Sequence, residues 1–418
     1  MAQTVFVPKE SLADEGRVAA SPDTVKRIKA LGLDVVVETE AGRASRILDS
    51  DYETAGARIG SASDATSADV ILKVRRPTTE EIAAYKQGAI VLATMDPFGA
   101  EEALSAMADA GLSAFAMELM PRITRAQVMD VLSSQANLAG YQAVIDAAEA
   151  YDRALPMMMT AAGTVPAAKV FVMGAGVAGL QAIATAKRLG GVVSATDVRA
   201  AAGEQVASLG GKFIMTEALK DASGEGGYAR ELTDDEKKAQ SELVAGHIAK
   251  QDIVITTALI PGRPAPKLID ADMVASMKPG SVIVDLAVER GGNVEGSKAG
   301  EVVVTKNDVT IIGHLNVAGR IAATASQLYA KNLYAFLETM VDGESGSVAI
   351  DREDELVSAT LLTHGGKVVH ERFGGASTEA PAAAPDDGAS PEGEAAPAVE
   401  PGTGDSDAGK GNTSEGKA

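Results

Sequence analysis

"KVFVMGAGVAGLQAIATAKRLGGVVSATDVR", residues 169–199, contains an apolar strand, a glycine turn, a helix, a second strand and an acid. Gly174, Gly176 and Gly179 form G-x-G-x-x-G directly after the first strand and at the mouth of the helix. The first glycine permits a tight turn. The second lets backbone approach a pyrophosphate, and the third lets the helix pack closely on the sheet. Phosphate would then meet the helix N-terminus, whose unpaired N–H groups and partial positive charge favour anions. Alone, the glycine pattern fits many α/β turns. Here Asp197 closes the next strand eighteen residues after Gly179, which completes a dinucleotide-binding fingerprint. A carboxylate there accepts hydrogen bonds from a ribose 2′-hydroxyl and repels a 2′-phosphate, so NAD(H) is expected over NADP(H). The expected cofactor set is Gly174, Gly176, Val177, Ala178, Gly179, Asp197, Val198 and Arg199. Arg199 is the feature that argues the other way, and it is expected to be a solvated neighbour.

Outward from this unit the same grammar continues. "VVSAT" (192–196), "DIVITTAL" (252–259), "SVIVDLA" (281–287) and "VTIIG" (309–313) read as further strands. Before it, "TVFVP", "DVVVE" (34–38), "DVILKV" (69–74), "IVLAT" (90–94) and "SAFAM" (113–117) alternate with helical patterns. In "SPDTVKRIKALG", Ser21 is placed to cap a helix that starts at Pro22 and stops at Gly32. Short apolar strands separated by helices predict α/β architecture, with two doubly wound Rossmann-like domains of mostly parallel sheet. The helical "ASQLYAKNLYAFLETM" is expected to cross back to the first half. The expected division is therefore 1–133 with 325–372 as a discontinuous first domain, and 134–324 as the dinucleotide domain. From residue 373 the chain turns to Pro, Ala, Gly and acids, and 373–418 reads as a disordered tail.

Composition narrows the function. Fifty-eight acidic against 38 basic residues give a net charge of −20, which disfavours nucleic acid and anionic lipid as partners. There is no cysteine, so disulfides, thiolate metal sites and cysteine nucleophiles are excluded. His247, His314, His364 and His370 are scattered without metal-ligand spacing. Residues 155–186 are apolar with Lys169 as the one charge, but Pro156, Pro166 and the glycines break the run, so no spanning helix is expected. "MAQTVFVPKE" has no signal-peptide core. A soluble, cytoplasmic protein is the expectation.

The stretch "MELMPRITRAQVMDVLSSQANLAGY" (117–141), followed by "PMMMTAAGTVPAAKVFVMGAGVAGLQAIATAKRLG", resembles the NAD(H)-binding α-subunit of proton-translocating NAD(P)+ transhydrogenase. The likeness extends over residues 3–370 and includes "VPKE", "EGRVAASP", "KVRRP", "TTALIPGRPAP", "MKPGSVIVDLAVERGGN" and "GHLNV". The resemblance implies that Arg122, Gln127 and Asp130 hold the nicotinamide end of the cofactor, with Ser133 and Gln135 in the same site. It implies a mobile lid over 221–240 with Tyr228 beside the nucleotide, and it adds Ala258, Leu259 and Glu289 to the binding set. By residue chemistry alone, Gln127 and Asp130 can share a helical face, and Arg122 and Asp130 could steady each other. An ordinary solvated helix turn fits those residues too.

Alanine dehydrogenase is a relative with different chemistry, and "VPKE" is shared with it. Arg17 matches one of its basic residues, and Arg75 stands where a lysine is expected. "AIVLATMDPFGA", where its catalytic histidine should fall, has none. Glu289 keeps a carboxylate near the other expected acid. Oxidising an amino or hydroxy acid needs a proton acceptor beside the hydride donor, whereas transfer between two nicotinamides does not. With one fingerprint in the chain, the resemblance implies NADP(H) on a partner β-subunit, a small membrane subunit, a homodimer, and peripheral attachment to the inner membrane through those partners. A freestanding amino-acid dehydrogenase and a non-catalytic NAD(H)-binding regulator remain the alternatives.

Overall fold

The structure is a computed structural model that describes residues 2–216, 233–343 and 345–374. Two sheets organise them. The first has eight strands in the order Lys367–Val368, Leu361–His364, Ser113–Ala116, Ile90–Thr94, Val70–Arg75, Thr4–Val7, Asp34–Glu38 and Arg58–Gly60. Its strand pairings are parallel except the two made by Leu361–His364 of the C-terminal segment, which are antiparallel, at one edge. The second has seven, in the order Lys212–Phe213, Val192–Thr196, Lys169–Met173, Ile253–Thr256, Val282–Asp285, Thr310–Ile312 and Val302–Val304, with only the last antiparallel. This is the expected mostly parallel α/β pair of Rossmann-like sheets.

Both sheets are covered on both faces, which is why their strands read as continuous apolar runs rather than alternating ones. In Thr4–Val7, Val5 and Val7 enter one core while Phe6 enters the opposite one. In Lys169–Met173, Val170 and Val172 face one layer, and Phe171 and Met173 the other. The helix Pro22–Ala30 forms as its sequence dictates. Ser21 caps it through the Thr24 N–H, and Gly32 follows at φ 88°, a left-handed turn that suits glycine.

Two long helices connect the halves. Ala322–Met340 sends Tyr329, Leu333, Phe336 and Leu337 into the core of the first sheet. Val131–Ala150 begins in that core at Val131 and ends in the core of the second sheet with Ala143, Val144 and Ala147. Phe373 packs edge-on against Phe98 with ring centroids 5.1 Å apart. Residues 375–418 of the expected tail, and Tyr228 with most of the expected lid, lie outside the described residues. No helix among the described residues is long and apolar enough to cross a membrane.

Candidate functional site

The glycine turn has the geometry its spacing predicts. Gly174 leaves the strand at φ 100°, and a Cβ there would meet the Thr257 hydroxyl at 2.5 Å. Gly179 lies so close under the turn that a Cβ would fall 1.8 Å from the Gly174 carbonyl oxygen. Gly176 is the N-cap of the helix Val177–Arg188, and a Cβ on it would meet nothing within 4 Å. The helix has neither a side-chain cap nor an acid in its first turn. Its positive end at Val177 and Ala178 therefore remains available to an external anion.

Asp197 sits at the end of Val192–Thr196, 7% exposed, and accepts the Ala175 N–H at 2.7 Å. Arg199 is where the structure corrects the sequence reading. Rather than a solvated neighbour, its guanidinium forks onto Asp197, Nε to Oδ1 and Nη2 to Oδ2 at 2.9 Å each, while its backbone N–H also reaches Oδ1 at 2.9 Å. Burial pushes the Asp197 carboxyl up, but the Arg199 side chain and the two backbone N–H groups outweigh it and hold it below the usual carboxylate range. The i, i+2 spacing gave no hint of this, because the pairing depends on the bend after the strand.

The neighbouring strand ends complete the floor. Thr257 donates to the Gly174 carbonyl at 3.2 Å, which holds the segment with Ala258 and Leu259 against the turn. Asn293, fully buried, accepts from Ala258 N–H and donates to the Ala258 and Pro266 carbonyls at 2.8–3.0 Å. Asp285, also fully buried, accepts from the backbone N–H groups of Ala287, Asn293 and Val294 and so shapes the turn bearing Glu289. Neither Asp285 nor Asn293 belongs to the set expected from the sequence. The available signal was a polar residue closing the apolar run "SVIVD" and another closing "ERGGN".

The segment expected at the nicotinamide folds as a 3-10 helix, Thr124–Met129, leading into Val131–Ala150. Gln127 lies within it, and Asp130 is the extended residue that joins it to the long helix. Gln127 and Arg122 are exposed and Asp130 is half-buried. Asp130 caps the long helix, accepting from the Ser133 N–H at 2.8 Å and from the Ser133 hydroxyl. Arg125 anchors the segment through a two-point pair with Asp354, both contacts at 2.8 Å. The long helix then crosses Val177–Arg188 so tightly that a Cβ on Gly140 would lie 2.0 Å from the Ala178 carbonyl oxygen. That crossing sets the distance from this segment to the glycine turn. Gln135, two residues beyond Ser133, has partners of its own. Its carbonyl accepts from Arg17 at 2.8 Å and its amide donates to the Ala325 carbonyl at 3.2 Å.

Arg17 belongs to a buried cluster where strand ends of the two sheets approach. Glu15, whose side chain is fully buried, takes Arg17 Nε at 2.7 Å and Nη2 at 2.6 Å, and Arg75 Nε at 2.8 Å. Burial raises the Glu15 carboxyl, but the hydrogen bonds and charge of Arg17 and the charge of Arg75 prevail and bring it to about 2. Asn316, in a left-handed conformation at φ 46°, donates to Glu15 and to the Asp14 carbonyl, and its N–H reaches Glu289 at 2.6 Å. Glu289 and Gln135 thus belong to this cluster, while Asp197 and the glycines lie together at the turn. In "AIVLATMDPFGA", Asp96 pairs with Arg290. His247 bonds Ser194, His364 bonds Ser113 and His370 meets the Ala359 carbonyl, while His314 is half-buried among charges from Arg320, Asp146 and Glu149.

Residues 6–139 match the N-terminal domain of alanine dehydrogenase/PNT, and residues 143–371 match its C-terminal domain. The chain belongs to the alanine dehydrogenase/PNT family. Within that family it is 53% identical over 380 residues to the Rhodospirillum rubrum polypeptide that forms the first portion of NAD(P) transhydrogenase subunit alpha, covering 89% of this chain and 99% of that one. It is 30% identical to the alanine dehydrogenase of Halomonas elongata over 88% of this chain and 96% of that one. A crystal structure of transhydrogenase from Sinorhizobium meliloti superposes with a TM-score of 0.80 at 68% identity, over 88% of this chain and all of that one. The alanine dehydrogenase/PNT assignment therefore rests on both halves, with the higher identities to transhydrogenase alpha subunits.

Proposed function

We propose that this chain is the NAD(H)-binding component of a proton-translocating transhydrogenase, exchanging hydride with NADP(H) held by a partner β-subunit. The observation that carries the reading is the glycine turn itself: an uncapped helix N-terminus, space beside Gly176, and the Asp197 carboxylate tied to the same turn through Ala175. These features fit a dinucleotide. The N–H groups of Val177 and Ala178 would take the pyrophosphate, and Asp197 and Val198 would border the adenosine ribose. Ala258 and Leu259 would form the wall beside the second ribose, and Arg122, Gln127, Asp130 and Ser133 would hold the nicotinamide end. When bound, the nicotinamide supplies or accepts the hydride.

The chain's own work in this scheme is positional. Near-attack geometry of roughly 3 to 3.5 Å between reacting carbons is what accelerates such a transfer. The Gly140–Ala178 crossing supports this reading, because it fixes the Gln127 segment against the nucleotide helix. No proton accompanies the hydride, so no general base is required at the chemical step. The fork of Glu15 with Arg17 and Arg75 agrees with this, since basic groups that would hold a small substrate acid are already paired. Domains of 1–133 with 325–372, and 134–324, are the proposed units. A membrane subunit, homodimerisation and cytoplasmic attachment to the inner membrane through the partners belong to the same proposal.

The test is a mixing assay. The purified chain alone, given NADH with pyruvate and ammonia, or NAD+ with alanine, should show no turnover. Adding the NADP+-loaded partner subunit should start oxidation of NADH. Turnover with alanine by the chain alone would make it a dehydrogenase. NADH binding without any transfer to the partner would make it a regulator.

A further inference from the structure

The Asp197 carboxylate has no acceptor position left over. A carboxylate offers about four lone-pair sites, and four donors fill them: Ala175 N–H at 2.7 Å, and Arg199 N–H, Nε and Nη2 at 2.9 Å each. Two of the four are backbone groups, fixed by the turn that carries them. The other two belong to a guanidinium on a flexible stem, with the Arg199 side chain 27% exposed against 6% for Asp197. A ribose hydroxyl that donates to this carboxylate must therefore take a position now held by Arg199.

We propose that Arg199 sets the dinucleotide selectivity of the site: it competes with the adenosine ribose for Asp197, and once displaced it is the cation that a 2′-phosphate would meet. This rests on the reading of the glycine turn as a dinucleotide site. Both effects act in one direction. Competition weakens binding of a ribose with a free 2′-hydroxyl, because the fork must open first. Neutralisation of Asp197 and the displaced guanidinium both lower the repulsion of a 2′-phosphate, for which arginine offers a planar two-point donor. Asp197 supplies preference for the unphosphorylated ribose, and Arg199 limits how strong that preference becomes.

The experiment compares wild-type chain with Arg199→Met, which keeps the apolar stem and removes the charge. Dissociation constants are measured by titration calorimetry for ADP-ribose and 2′-phospho-ADP-ribose, which share the adenosine and pyrophosphate groups and differ only at the 2′ position. The expected result is at least 3-fold tighter ADP-ribose binding and a selectivity ratio at least 10-fold higher than wild type. A ratio within 2-fold of wild type would overturn the proposal, as would equal weakening of both ligands. A melting curve and NADH fluorescence titration on the same samples separate loss of fold from change of selectivity. If wild-type chain binds neither ligand, it is the dinucleotide reading of the turn that fails. If wild type binds and the ratio does not move, only the role of Arg199 fails.

Discussion

Gly140→Ala sets two effects of opposite sign against each other. In an exposed helix interior, replacing glycine by alanine stabilises by about 1 kcal/mol, because glycine loses more backbone entropy on folding. At Gly140 the added Cβ would sit 2.0 Å from the Ala178 carbonyl oxygen, with the Ala178 carbonyl carbon at 2.8 Å. Non-bonded carbon and oxygen need at least about 3 Å, so one helix must retreat by about 1 Å. Because the obstacle is backbone, the cost falls at the upper end of overpacking, about 3 kcal/mol. The net loss is about 2 kcal/mol. For the compact unit Met1–Pro381, an unfolding entropy of about 2.1 cal/mol/K per residue converts this to a fall in Tm of about 2–3 °C. The functional effect should be larger, because the retreat carries the Gln127 segment away from the nucleotide helix, and a 1 Å misplacement costs about 10²-fold in rate. The assay pairs a melting curve with single-turnover oxidation of NADH by NADP+-loaded partner. Gly246→Ala is the control: Gly246 lies in the helix Asp234–Ile248 with open space around its Cβ position, and the substitution should raise Tm slightly and leave transfer unchanged. If Gly140→Ala instead raises Tm with an unchanged transfer rate, the crossing does not position the site.

Gln127→Asn should leave NADH affinity within a few-fold of wild type and slow single-turnover hydride transfer by about 10- to 100-fold, since only ring placement is disturbed; an unchanged transfer rate would remove Gln127 from the site. Glu15, held at about 2 against an ordinary value of 4.5, contributes about 3 kcal/mol that is fully present above pH 4.5 and is lost as pH falls toward 2. The gap in urea stability between wild type and Glu15→Gln should therefore shrink by about 3 kcal/mol between pH 7 and pH 2, most steeply below 4.5 at up to about 1.4 kcal/mol per pH unit; a gap independent of pH would remove the charge of Glu15 as its cause.

The long strands and the glycine turn were legible because each carries its reason locally. Apolar runs such as Ile90–Thr94 and Lys169–Met173 are buried on both faces, and Gly174, Gly176 and Gly179 each answer a separate geometric demand. What escaped were elements too short to show a period: Arg58–Gly60, Lys212–Phe213 and Val302–Val304. The hairpin Met158–Thr160 with Gly163–Val165 was hidden within an apolar run. Leu361–His364 pairs with Ser113–Ala116 across some 245 positions, which nothing local announces. At the site, residue types were legible and their pairings were not. The fork of Arg199 on Asp197, the capture of Gln135 by Arg17 and the burial of Glu15 between two arginines depend on where distant backbone lies.

The central claim is direct hydride exchange between two nicotinamides, positioned rather than chemically assisted by this chain. The measurement that tests it most directly is an isotope trace: NADH carrying deuterium at the transferred C4 position is bound to the chain, mixed with NADP+-loaded partner in ordinary water, and the NADPH is analysed by mass spectrometry. The account predicts that one deuterium per turnover appears in NADPH and none is released to solvent. Solvent-derived hydrogen at C4 of NADPH, or transfer that requires an added keto acid, would contradict it.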